Sequence, residues 1–329
     1  MIFVVLLGMM SAIVAAGRID PQIFRNINSY GTSDVLVSFK NSNVPCIRAR
    51  FIELHEQSDR ATRLNSFYRN LKDHADRTQH EFLSSLERSR AFKSVEIRQL
   101  WISNQLIILN ASMEAIRVLE ESEEVSKAEA DNVIPLPSPT VNDAYATACN
   151  STTSDELPWG ISRIEAPKVW AGGFRGQGVV VSNVDTGVQY THEALRDNYR
   201  TEYGWFDPYE LTRLPHDQNG HGTHTMGTLV GRVRAIGVAP EAKWVSCKGC
   251  NEYGCSVSAL LQCGQWIACP TQPDGRNPNC SMAPLVLSNS WGGLRGNNFY
   301  EEILAAYDAL GIHAIFTIGN TMRDDSLSG

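Results

Sequence analysis

The run Pro135-Leu-Pro-Ser-Pro-Thr140 divides this chain more sharply than any other feature. Three alternating prolines remove three backbone N–H donors, so the segment suits neither a helix interior nor a central strand. With the polar stretch that follows it reads as a linker over residues 135–157. A chain of 329 residues has room for a folded unit on each side.

The two sides follow different patterns. On the N-terminal side, 34–40 alternates as a strand, and 56–90 is polar with spaced Leu64, Phe67, Leu71, Phe82, Leu83 and Leu86, an amphipathic helix. Strands at 95–101 and 105–109, an acidic helix at 113–123 with Ser112 as its N-cap, and a strand at 125–133 complete a β-α-β-β-α-β order. This predicts a small α+β, ferredoxin-like domain over residues 18–134. On the C-terminal side, apolar strands at 179–184, 244–246, 285–288 and 313–318 alternate with helices at 221–231, 256–268 and 298–310. That alternation predicts an α/β domain over 158–329, a parallel sheet with helices on both faces.

Residues 1–17 carry no charged side chain and pass from an apolar stretch into Ala12, Ala15, Ala16 and Gly17. They are short of the roughly 20 residues that span a bilayer and read as a cleaved signal peptide. The expected destination is extracellular. In that compartment the eight cysteines, six of them within 247–280, read as disulfides, with pairing left open. The rival reading is zinc at Cys247-x-x-Cys250, which lacks a second pair of suitable spacing. Asn110, Asn150 and Asn279 stand in glycosylation sequons. The net charge of −7, with acidic and basic residues interleaved, excludes a phosphate-backbone partner.

Three segments of the second unit carry chemistry. The run 179–187 ends a strand on Asp185-Thr-Gly187, where open α/β sheets place their sites. Asp217-Gln-Asn-Gly-His221-Gly-Thr-His224 starts a helix on His221, and the positive end of the helix dipole favours the neutral imidazole that a general base needs. Ser288-Asn-Ser290-Trp291-Gly292-Gly293 gives an open backbone suited to an extended peptide, and Asn320 ends the next strand with an amide able to donate to an oxyanion. The glycines at 172–178 precede a strand instead of following one, which excludes a dinucleotide loop and with it a dehydrogenase.

Asp-Thr-Gly at 185–187, His-Gly-Thr-His at 221–224, Gly-Val-Ala-Pro at 237–240 and Ser-Trp-Gly-Gly at 290–293 resemble, in order, the blocks of the subtilisin-like serine proteases, and look nearest to the bacillopeptidase F-like branch. Residues 35–133 look like that family's inhibitor pro-domain. The resemblance implies a secreted endopeptidase in which Asp185 orients His221, His221 relays the proton of a serine, and Asn320 holds the oxyanion. It further implies that Ser290, Trp291 and Gly292 bind substrate backbone and wall its pocket, with His224 structural. Expected partners are protein or peptide substrates and the chain's own pro-domain as intramolecular inhibitor, on a monomer with processing somewhere within 134–157. The family's nucleophile lies in a Gly-Thr-Ser-Met-Ala motif that neither Ser326 nor Ser328 matches, so the expectation is a sequence that stops before its serine and is inactive alone. No cofactor is expected. The position of a family calcium ligand is Ala194, which puts calcium in doubt there. The competing reading is a non-catalytic pseudoprotease or a pro-domain-like protease inhibitor.

Overall fold

The computed structural model describes residues 17–55, 57–93, 95–136, 157–293 and 296–320, in two compact units, 1–132 and 133–329. Residues 1–16 of the expected signal peptide, linker residues 137–156 with Cys149 and Asn150, and Ser326 and Ser328 lie outside the described residues.

The first unit opens with a helix absent from the pattern reading, α1 (Pro21–Tyr30). Asp20 caps it by accepting from Gln22 N, Pro21 occupies its first turn, and Gly31 ends it at φ 84°. Strand β1 (Ser33–Phe39) then leads into α2 (Val44–His55), a helix not expected there, and α3 (Arg60–Arg88), the helix expected over 56–90. Asp59 fixes the start of α3 by accepting from Thr62 N. Strands β2 (Glu96–Leu100) and β3 (Gln105–Ala111), helix α4 (Met113–Glu121) with Ser112 as N-cap, and β4 (Val125–Ala130) follow as expected. The sheet runs β2-β3-β1-β4, antiparallel throughout, so β1 lies inside it. One face buries Val35, Val37, Leu106 and Ile108 against Phe82, Leu86, Ile116 and Leu119 of the helices. This apolar layer is what the alternating and 3.6-residue patterns encode.

The second unit has an all-parallel sheet of five strands, the α/β class the sequence predicts. In spatial order they are β11 (His313–Phe316), β10 (Val286–Asn289), β6 (Val180–Asp185), β8 (Lys243–Lys248) and β7 (Trp205–Phe206). Short helices α5 (Trp159–Arg163) and α6 (Ala166–Ala171) precede β6; α7 (His221–Val230), α8 (Val257–Ala268) and α9 (Glu301–Leu310) connect the later strands. On one side Val181 and Trp244 pack with Met226 and Val230 of α7. Two further short strands, β5 (Val133–Ile134) and β9 (Cys255–Ser256), pair antiparallel apart from this sheet. The strand expected over 125–133 therefore ends at Ala130, and Val133 begins a different pairing.

Disulfides join Cys247 to Cys263, Cys250 to Cys255 and Cys269 to Cys280, while Cys46 is free and exposed. Cys247 and Cys250 thus have different partners, which leaves no zinc pair. Among the described residues no helix is long and apolar enough to cross a membrane.

Candidate active site

Asp185 is the last residue of β6 and is buried, with 1% of its surface exposed. His221 is the first residue of α7, and its Nδ1 lies 2.7 Å from Asp185 Oδ1. Asp185 Oδ1 also accepts from Thr186 N at 2.8 Å, and its Oδ2 accepts from Thr225 Oγ1, one turn into α7, at 3.1 Å. The carboxylate thus holds the imidazole and the helix together. With Nδ1 occupied, Nε2 is the ring atom left to exchange a proton with a substrate or nucleophile.

Glycine at 222 permits the approach. A Cβ there would collide with the Gly187 carbonyl oxygen and stand 3.1 Å from Asp185 Cβ. Gly187 itself has φ 105°, and a Cβ on it would meet the carbonyl oxygen of His216. The Asp-Thr-Gly and His-Gly blocks therefore pack directly on one another. Asn183, two residues before Asp185, donates to Gly222 O at 3.0 Å and accepts from Ser246 Oγ at 2.7 Å, tying α7 to β6 and β8.

The hydrogen bond to Asp185 raises the His221 pKa above the ordinary imidazole value, against burial, with the charges of Asp185 and Asp217 adding to the rise. The helix dipole had predicted the reverse. A carboxylate in direct contact with the ring outweighs partial charges spread over the first turn. His224 is exposed on α7.

Asn320 is exposed, four residues beyond the end of β11. Ser290 is partly buried and Gly292 exposed, just past the end of β10. Trp291 is only 4% exposed, and its ring packs edge-on to Tyr300 and Phe316, with centroids 5.2 and 5.3 Å away. Its bulk goes into an aromatic cluster with α9 and β11. Ala194, at the doubted calcium position, is buried, and its N–H donates to His192 Nδ1 at 3.1 Å. Asp207, Glu210 and His216 bring potential ligand atoms within 4.8 Å of one another. The Asp207 carboxylate there accepts from Tyr209 N, Glu210 N and Thr212 Oγ1, which folds the loop after β7 on itself.

Sequence reasoning gave no role to Asp217 or Lys248. Lys248 ends β8, is 3% exposed, and donates from Nζ to Thr186 O at 2.8 Å. Burial lowers its pKa, opposed by the charges of Asp207, Asp217, Glu210 and Glu252. A lysine at the end of an apolar strand was the available signal.

Residues 176–328 match the Subtilase family. The chain is 34% identical to bacillopeptidase F of Bacillus subtilis (strain 168) over 271 residues, 76% of this chain and 19% of that protein. It is 30% identical to subtilisin-like protease 9 of Arthroderma gypseum over 64% of this chain and 48% of the relative. The chain thus spans about a fifth of the first relative and about half of the second. Among solved structures it resembles the epidermin leader peptide processing serine protease of Staphylococcus aureus (TM-score 0.51, 15% identity, 85% of this chain and 58% of that one). It also resembles fervidolysin of Fervidobacterium pennivorans, described as a keratinolytic enzyme related to subtilisin (TM-score 0.50, 16% identity, 90% and 41%). At these identities the likeness is one of fold.

Proposed function

Because residues 176–328 belong to the subtilase family of serine peptidases, we propose that this protein is part of a secreted serine endopeptidase in which Asp185 and His221 are two members of an Asp-His-Ser triad. The observation that carries the proposal is the 2.7 Å contact between His221 Nδ1 and a buried, otherwise satisfied Asp185. In that reading Nε2 takes the proton from a serine hydroxyl as it attacks a peptide carbonyl, then returns it to the leaving amine. Asp185 holds the tautomer and offsets the imidazolium charge. The Asn320 side-chain amide donates to the oxyanion, and the backbone at Ser290 and Gly292 lines the substrate path. None of the described residues is assigned the serine's role.

The apolar N-terminus and the three disulfides favour secretion. We further propose that residues 18–134 act as an inhibitory pro-domain on a monomeric zymogen. What supports the reading is that residues 18–132 fall in a compact unit of their own, a four-stranded antiparallel sheet with helices packed on one face.

The test is hydrolysis of an unstructured protein such as casein by a product that carries residues 1–329 and a downstream Gly-Thr-Ser segment. Activity that disappears with His221→Ala supports the proposal. Activity untouched by His221→Ala rejects it.

A further inference from the structure

Asp217 lies four residues before His221 and takes no part in the proton transfer described above. Its Oδ1 accepts from Thr186 Oγ1 at 2.9 Å, Asn219 N at 3.1 Å and Gly220 N at 2.9 Å. Its Oδ2 accepts from Thr223 N at 2.9 Å and Thr223 Oγ1 at 2.6 Å. A backbone bridge also pairs Asp217 with Gly187. One carboxylate therefore bonds both the turn that follows Asp185 and the first turn of the helix that carries His221.

Helix α7 needs such a partner. Its N-cap is Gly220, which offers no side chain, so an exposed first turn would leave its N–H groups unpaired. Asp217 satisfies Thr223 N, and Thr186 Oγ1, itself bonded to Asp217, accepts from Gly222 N at 2.9 Å. The chain Gly222 N–H, Thr186 Oγ1–H, Asp217 Oδ1 runs from helix to turn to loop.

We propose that Asp217 is a positioning residue for the Asp185–His221 pair, a clamp that fixes the Asp185–Thr186–Gly187 turn against the first turn of α7 and so sets the reach of His221 Nδ1 to Asp185. This rests on the reading of that pair as catalytic. The charged groups facing the clamp are Asp185 from β6, His221 from α7 and Lys248 from β8, whose Nζ bonds Thr186 O. Burial pushes the Asp217 pKa up, but hydrogen bonds from Thr223, Gly220 and Thr186 outweigh it and hold the carboxyl below its ordinary range. Asp217 is thus ionised at neutral pH, and its charge acts on His221 in the same sense as that of Asp185.

The test follows the His221 imidazole of the intact chain by NMR across pH, with His224 as internal control, in the wild type, Asp217→Asn, Thr223→Val and Asp185→Asn. Asp217→Asn keeps the shape but turns one acceptor oxygen into a donor facing donors. It is expected to move the His221 midpoint to lower pH and to weaken or abolish the low-field proton signal of Nδ1–H. Thr223→Val, which removes one of the five bonds, should do the same to a smaller extent. A clamp that merely stabilised α7 would lower the unfolding temperature and leave the titration of the folded protein unchanged. A folded Asp217→Asn with the wild-type titration therefore overturns the proposal. If that variant does not fold, an unchanged titration in Thr223→Val overturns it instead. An Asp185→Asn variant that leaves His221 unchanged defeats the pair itself, and the clamp with it. A response to Asp185→Asn without one to Asp217→Asn defeats the clamp alone.

Discussion

His221 Nδ1 and Asp185 Oδ1 lie 2.7 Å apart although 36 residues separate them, one at the start of a helix and one at the end of a strand. The partners are unequal in exposure: the side chain of Asp185 is 1% exposed and that of His221 20%. The carboxylate is fixed by the protein while the imidazole reaches solvent, as a proton carrier requires.

This pair makes stability depend on pH in a defined direction. The folded His221 pKa is raised by its bond to Asp185, so the gain is fully present below the ordinary imidazole value of 6.5. It is lost as pH rises through the higher folded value. Solvent screening of the partly exposed ring keeps the effect modest. Urea unfolding at about pH 5.5 and about pH 8.5 should show a larger drop for the wild type than for Asp185→Asn.

Gly222→Ala places a methyl group against the Gly187 carbonyl and Asp185 Cβ. Separating the two backbones is expected to cost about 1–3 kcal/mol, the range for overpacking. Denaturant unfolding measures the loss. The same change should weaken the His221–Asp185 bond, which a substitution elsewhere in α7 would leave alone.

The Cys247–Cys263 disulfide ties the end of β8 to α8 across 16 residues. Replacing both cysteines with serine is expected to cost about 2–4 kcal/mol, from the freed unfolded chain and from two hydroxyls in fully buried positions. Thermal unfolding of the double variant tests this.

Gly254 has φ 130°, and a Cβ on it would lie 2.5 Å from Ile134 O and 2.8 Å from Val133 Cγ1. Gly254→Ala should therefore loosen the β5–β9 pairing. Hydrogen exchange is expected to speed up at the paired residues 133–134 and 255–256 with little change in β6 or β8.

Much of this architecture was legible in the sequence because its signals are local. The 3.6-residue spacing of Phe67, Leu71, Phe82 and Leu86 announces α3, and the apolar run before Asp185 announces β6 and its site. Helix α1 carries its signal in Asp20, Pro21 and Gly31, with only Ile23 and Ile27 buried between them. Helix α2 carried little signal, since it buries only Val44 and Phe51. The disulfide pairs and β5 were not legible, because each is settled by where distant segments meet. Trp291 shows the same limit: its place in the order of motifs was clear, but its burial against Tyr300 and Phe316 depends on α9 and β11.

Whether Asp185 acts through His221 is tested most directly by a pH titration of the His221 ring by NMR in wild type and Asp185→Asn. The wild-type midpoint is expected above that of an ordinary imidazole, falling when Asp185 loses its charge. A His221 that titrates as an unperturbed histidine and ignores Asp185→Asn would contradict that role of Asp185.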